Sequence, residues 1–297
     1  SVQRTGIGWM PGEPDTRPPA GQEELDAAVA ALAGRRLVAL TGAGFSTDSG
    51  LPDYRGPDAR PRNPMTYDQF VGDPAFRRHY WARNHLGWHH MRRTEPNGGH
   101  HALARLESAG VISGVITQNV DRLHQRAGSR RVVDLHGHYD LVRCLSCGWT
   151  CTRAQLDDRL QALNPGFLDQ VTELGDVEVA PDADVVLEAT AGFRVAGCPA
   201  CGGVLKPDIV FFGESVPPAR VRECFALVDG AGALLVAGTS LAVMSGLRFV
   251  RRAAGLGLPV VLVNRGVTRG DALASVRLNA GTTQALAYLE PRLTPAG

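Results

Sequence analysis

Lysine is almost missing from this chain of 297 residues. Lys206 is the only one, so arginine supplies nearly all of the 31 basic side chains. The protein therefore has almost no side-chain amine of its own to be modified. The arginine bias, with 35 glycines and 19 prolines, fits a high-GC bacterial genome. Net charge is missing too. The 31 basic residues face 30 acidic ones, which leaves no global field to recruit nucleic acid or an anionic membrane. No run approaches the roughly 20 apolar residues that cross a bilayer. Residues 1–21 lack the apolar stretch of a signal peptide and read as a disordered Pro/Gly-rich leader. There are six cysteines, four of them better placed for a metal than for disulfides, so a reducing, cytoplasmic setting is expected.

Those four cysteines form two Cys-x-x-Cys pairs, Cys144/Cys147 and Cys198/Cys201, each followed by a glycine. Two such knuckles offer four thiolates to one tetrahedral Zn²⁺, and a closed Cys₄ shell leaves no position for water or substrate. The metal is therefore expected to be structural, one per chain. Two redox dithiols or scattered core cysteines are the alternative. Cys151 and Cys224 are left over. Between the pairs helical periodicity is lost and acidic residues accumulate, so residues 141–204 read as a small inserted zinc-binding module.

The rest of the chain alternates. Residues 22–32 have helical periodicity, and residues 36–40 are an apolar run suited to a buried parallel strand. Residues 60–97, rich in aromatics, His and Arg, are expected to make a helical excursion. A helix over 101–109 and a strand over 111–117 follow. Further apolar runs at 209–212, 233–237 and 259–263 have helical stretches between them, at 220–228 and 245–254. Strands alternating with helices indicate an α/β fold with a doubly wound parallel sheet, built from residues 22–140 and 205–297.

Four strand ends carry polar or glycine loops. Gly42-Ala43-Gly44 follows the first strand, with Asp53-Tyr54-Arg55 just beyond. Gln118-Asn119-Val120-Asp121, Gly238-Thr239-Ser240 and Asn264-Arg265-Gly266 end three others. A lone Gly-x-Gly is as often a plain turn as a phosphate cradle, and any single polar strand end serves equally as a loop or helix cap. Ligands of doubly wound sheets collect at the carboxyl ends of strands, so the four loops should converge on one crevice.

The motifs GAGFSTDSGLPDYRG, TQNVDRLH, Leu135-His136-Gly137, the two cysteine pairs, KPDIVFFGE and AGTSL occur in one order from about Leu32 to Leu289. In this the chain resembles the sirtuins, NAD-dependent protein deacylases with a Rossmann-like domain. PDYRGP, RNPMTY, HYWARN, LHQRAGSRR and SGLRF look most like the class II branch, which includes a mitochondrial lipoamidase and ADP-ribosyltransferase. The resemblance implies His136 as general base, with Asn119 and Asp121 as catalytic partners. It implies NAD contacts from Gly42, Ala43, Gly44, Asp53, Tyr54, Arg55, Gln118, Asn119, Val120, Asp121, Gly238, Thr239, Ser240, Asn264, Arg265, Gly266 and Thr282. Val210, Phe211, Phe212, Gly213 and Glu214 would offer a strand edge to an extended acyl-lysine peptide, although an apolar run there also suits a core strand. His138 gains no metal role from the family pattern.

In the sirtuin mechanism the acyl carbonyl oxygen attacks the ribose carbon, nicotinamide leaves, and His136 would then deprotonate a ribose hydroxyl. An imidazole with pKa near 6.5 suits such a base. Mono-ADP-ribosyl transfer from the same NAD site is the alternative activity, and a non-enzymatic NAD sensor a third. Val243-Met244-Ser245-Gly246 replaces the proline frequent after AGTSL. Phe45, where the family usually has an aliphatic residue, is expected to reshape the acyl or nicotinamide pocket. The segment around Tyr80, Trp81 and Arg83 would either line an acyl channel or pack as an amphipathic helix. A monomer acting on acyl-lysine proteins is expected.

Overall fold

A computed structural model describes residues 15–55, 63–172 and 190–296. Helix α1 (Gln22–Leu32) leads into strand β1 (Leu37–Thr41). Two short 3₁₀ turns come next, followed by α2 (Tyr67–Gly72), α3 (Pro74–Met91) and α4 (Gly98–Ser108). Then come β2 (Ile112–Thr117), α5 (Leu123–Arg126), β3 (Val132–Asp134), β4 (Gly137–Cys144) and β5 (Thr150–Thr152). The chain continues through α6 (Arg153–Leu163), α7 (Phe167–Thr172), β6 (Leu205–Ile209), α8 (Pro218–Asp229) and β7 (Ala233–Ala237). It ends with α9 (Met244–Gly255), β8 (Val260–Val263), β9 (Val276–Leu278) and α10 (Thr282–Leu293).

Six strands form one parallel sheet in the order β3-β2-β1-β7-β8-β9. The sequence order reverses across β1, whose neighbours are β2 and β7, and such a reversal opens a crevice at the strand ends. β1, β7 and β8 are buried at every position, as strands covered on both faces must be. One face packs α1, α4 and α10 through Leu32, Leu103, Leu106 and Leu289. The other packs α8 and α9 through Leu227, Leu247 and Phe249.

A separate antiparallel sheet, β5-β4-β6, carries the cysteine pairs. It begins at Gly137, a few residues before the expected module boundary at 141. It also claims the strand expected over 209–212. The observed strand is β6, Leu205–Ile209, and it pairs with β4 rather than joining the parallel sheet. Beyond Ile209 the chain bends, keeping a single bridge between Phe212 and Thr66. Residues 1–14 and most of the acidic stretch, 173–189, lie outside the described residues. Residues 15–20, expected as part of a disordered leader, are fixed against the sheet. Asp15 pairs with Arg277 at 3.1 Å, and Ala20 N donates to Asn279 O at 2.9 Å.

Helix α3 packs inward against the small sheet. Trp81 is 1 % exposed and donates from Nε1 to Leu205 O at 3.3 Å, while Tyr80 stacks against Phe70 and Phe211. The buried Arg153 guanidinium lies over the Trp81 and Trp88 rings and binds Asn84 Oδ1 at 3.0 Å. Asp157 Oδ1 lies 3.1 Å from His85 Nδ1, 3.0 Å from His89 Nε2 and 3.8 Å from Arg153. Burial alone would raise the Asp157 pKa, but bonds from His85, His89 and Gln161 hold it well below the carboxylate range. The guanidinium already balances this carboxylate, so the cluster reads as a charge-paired seam between α3 and α6. Of the two expectations for Tyr80 and Trp81, amphipathic packing is the one observed.

Candidate functional site

The carboxyl ends of β1, β2, β7 and β8 release the four loops onto one crevice, with about 780 Å³ of empty space including its open mouth. Gly42, Ala43, Gly44, Gln118, Asn119, Val120, Gly238, Thr239, Ser240, Asn264 and Arg265 line it, with Asp53, Tyr54, Arg55, His136 and Phe212. Ala242 and Val243 also line it; both were missed in the sequence, where they look like ordinary apolar helix-leading residues.

The loops touch so closely that only glycine fits. A Cβ on Gly42 would sit 2.6 Å from Thr239 Cβ. Gly238 has φ +69°, and its Cβ would fall 2.3 Å from Phe45 N. Gly44 N donates to Gly238 O at 2.9 Å, which locks β1's loop to β7's. Bare backbone beside an open cavity is what a pyrophosphate needs. The Arg55 Nε is buried without a hydrogen-bond partner among the described residues, and burial lowers its pKa. A half-buried guanidinium whose Nε lacks an acceptor, beside bare glycine backbone, fits an anionic dinucleotide, so the residues present suit NAD.

Beneath the glycine loop lies a polar brace. Asn119 Nδ2 donates to Gly42 O at 2.8 Å and to Ser46 Oγ at 3.3 Å, and Ser46 donates to Asp121 Oδ2 at 2.6 Å. Asp121 also accepts from Leu123 N at 3.0 Å. Its burial raises its pKa, against the pull of the Ser46 bond. Asp121 therefore holds the loop from behind rather than facing the cavity. Gly266 and Thr282 likewise stand off the lining, as do Val210, Phe211, Gly213 and Glu214 among the expected peptide contacts. Part of that peptide edge is in use. Val210 N donates to His136 O at 2.8 Å, Phe211 N to Glu214 Oε2 at 2.8 Å, and Tyr67 N to Phe212 O at 2.9 Å. Lys206 pairs with Glu214 at 3.0 Å and also donates to Ile209 O, which fixes this bend.

Phe45 departs from expectation. It is fully buried and packs edge-on against His100 at 4.9 Å and beside His124 at 5.1 Å, so it supports the loop from the core and is not part of the crevice lining.

His136 sits where the chain leaves the large sheet for the small one. Gln118 O lies 3.1 Å from its Nδ1 and Ser245 Oγ 2.7 Å from its Nε2. A carbonyl can only accept, so the proton is assigned to Nδ1; in the neutral ring Nε2 then carries no hydrogen and accepts from Ser245. That is the tautomer a general base needs.

About the cysteines the geometry is equally direct. Cys144 and Cys201 Sγ are 3.5 Å apart, Cys147 and Cys198 Sγ 3.8 Å, and all four lie within 4.8 Å of one another. Tetrahedral zinc with Zn–S near 2.3 Å requires sulfurs about 3.8 Å apart. Ser146 N and Gly203 N donate to Cys144 and Cys201 sulfur, each at 3.4 Å, as thiolates would accept. The four cysteines are placed to bind a zinc ion, and neither Cys151 nor Cys224 belongs to this cluster.

The Sir2 family model matches residues 42–245. The chain belongs to the Sir2 family. It is 59 % identical over 275 residues to NAD-dependent protein deacetylase 1 of Mycobacterium avium (strain 104), covering 93 % of this chain and 98 % of the relative. It is 49 % identical over 292 residues to NAD-dependent protein deacetylase 1 of Streptomyces coelicolor, covering 98 % and 96 %. A solved Sir2 with p53 peptide and NAD⁺ superposes with TM-score 0.69 at 31 % identity, covering 92 % of this sirtuin and 98 % of that chain. Among its described residues the sirtuin has no helix long and apolar enough to cross a membrane.

Proposed function

We propose that this sirtuin is an NAD-dependent protein-lysine deacylase with His136 as its general base. NAD, when bound, supplies its own leaving group, nicotinamide, and the ribose that receives the acyl group. The protein's task is then to hold, orient and move protons. Gly42, Gly44 and Gly238 would present backbone to the pyrophosphate, with Thr239, Ser240, Asn264 and Arg265 on the adenosine side. Asp53, Tyr54 and Arg55 would cover the nicotinamide side, while Gln118 and Asn119 would orient the ribose. His136 would take a ribose hydroxyl proton at Nε2, which frees that oxygen to capture the acyl carbon. Cys144, Cys147, Cys198 and Cys201 would hold structural zinc away from this chemistry. The observation that carries the reading is His136 at the wall of the crevice lined by the glycine loops, its Nδ1 held by the Gln118 carbonyl so that Nε2 is the proton-accepting nitrogen.

The test is His136→Ala. Removing a general base typically costs about 10²–10⁴-fold in rate, so deacylation should fall by that factor while NAD still binds. More than half of wild-type deacylation in the variant would remove His136 from this role. Nicotinamide release that needs acyl-peptide marks the deacylase. Transfer of label from radioactive NAD to protein without it would mark the ADP-ribosyltransferase instead.

A further inference from the structure

Ser245 is fully buried, yet its hydroxyl does not serve its own helix. It lies in the first turn of α9, where a serine usually caps a free backbone amide. Here the cap position is Val243, no side chain caps the helix, and Ser245 Oγ reaches instead to His136 Nε2 at 2.7 Å. The imidazole is thus held at both nitrogens from two different elements. The carbonyl at the end of β2 fixes Nδ1, and the α9 hydroxyl fixes Nε2.

A hydroxyl is well suited to this post. It donates to a bare Nε2 and, by rotating, accepts from a protonated one. An alanine or a proline at 245 could do neither. We propose that Ser245 is a positioning residue for His136, keeping Nε2 unprotonated and the ring oriented before the proton arrives and accepting from it afterwards. This rests on the reading of His136 as general base. In the step served, the Ser245 O–H turns off the Nε2 lone pair, a ribose O–H bond breaks, the proton forms N–H on Nε2, and the electron pair stays on the ribose oxygen.

Ionisable groups lie on every element around this pair, including the buried Cys224 of α8. Arg248 on α9 donates from Nε to Ser245 O at 2.9 Å, and Arg220 on α8 reaches Leu135 O at 3.3 Å. His138 follows on β4 and Lys206 and Asp208 lie on β6, the strand that pairs with it, while Asp53, Arg55 and Arg265 line the crevice. All would remain in a Ser245 variant, so a change in titration between it and wild type reports the lost hydroxyl. Donation to a bare nitrogen favours the neutral ring, and a typical hydrogen bond corresponds to about half to one pH unit.

The experiment compares the full chain as wild type and Ser245→Ala with an acetyl-lysine peptide. Nicotinamide exchange reads the cleavage step before the base acts, and acylated ADP-ribose reads the step after. Ser245→Ala should lose about tenfold in product formation, keep exchange within twofold, and move the acid limb of kcat/KM upward by half to one unit. Ser245→Thr, which keeps the hydroxyl, should recover most of the product rate. Long-range ¹H–¹⁵N NMR of the imidazoles should show the Nδ1–H form at His136 in wild type and a mixture in Ser245→Ala. Parallel loss of exchange and product, an unmoved acid limb, or an unchanged tautomer would each overturn the proposal. Should His136→Ala keep full product formation, the general-base reading fails, and the NMR comparison still decides whether Ser245 sets the ring.

Discussion

Two buried histidines beneath the glycine loop should make this fold acid-sensitive. His100 and His124 are 0 % and 1 % exposed, with ring centroids 4.8 Å apart and Phe45 against both. His100 Nδ1 accepts from Asn97 N at 3.1 Å, and His124 Nε2 lies 2.8 Å from Thr41 Oγ1, which in turn donates to Thr117. Burial pushes His100 down to about 2 and His124 down to about 3, so both are neutral in the folded protein. In the unfolded chain each titrates near 6.5. As pH falls below that value the unfolded state takes up protons that the folded state refuses. The stability is therefore full above pH 6.5 and is lost on acidification. The slope is about 1.4 kcal/mol per pH unit for each histidine, so the pair should cost roughly 4 kcal/mol between pH 7 and 5. Against a typical total of about 5–15 kcal/mol that is large. Urea unfolding at pH 7, 6 and 5 would read it, comparing wild type with the non-titrating double variant His100→Asn/His124→Gln. Asp121, raised by burial, pulls the other way, but it is common to both proteins and cancels in the difference. Equal pH slopes in the two proteins would refute the reasoning.

Cys→Ser at 144, 147, 198 or 201 should abolish bound zinc by metal analysis and lower the yield of folded protein, whereas Cys151→Ser and Cys224→Ser should keep one zinc per chain. Gly238→Ala, which forces a Cβ to 2.3 Å from Phe45 N at φ +69°, should eliminate NAD binding measured by calorimetry and lower Tm. Trp81→Ala should cost about 3–5 kcal/mol of stability in urea, because the ring is core; a variant of unchanged stability with altered acyl-chain preference would return Trp81 to a channel wall.

Long-period signals were the legible ones. Residues 22–32 form α1 as read, and the apolar runs that became β1, β2, β7 and β8 are buried at nearly every position, because strands covered on both faces cannot alternate. The run at 209–212 misled because hydrophobicity reports burial, not hydrogen bonding. Ile209, Val210, Phe211 and Phe212 are all buried, yet only Ile209 is in a strand. β3 and β9, three residues each, are too short to show a period. In the site, glycine loops and strand ends were visible because their chemistry is local. Ser245 was not, since its partner lies 109 residues away. Phe45 was placed in the pocket by its neighbours in sequence, whereas its ring turns to His100 and His124, which α4 and α5 bring from elsewhere.

The position of His136 links these two kinds of information. Leu135 N still bonds Thr117 O of the large sheet, while Gly137 already pairs with Ile209 of the small one. His136 itself accepts from Val210 N at 2.8 Å. The proposed base is therefore carried on the one residue between two sheets, and β4 and β6, which flank it, run directly to Cys144 and toward Cys201. Four thiolates closed on one zinc would fix the far ends of these strands. Closing a long loop through a metal removes conformational freedom that a small three-stranded sheet has little core to suppress. A metal with no open position would in this way matter to the proposed catalysis: it would hold the strands that carry the imidazole, while Gln118 and Ser245 hold the ring from the large sheet's side.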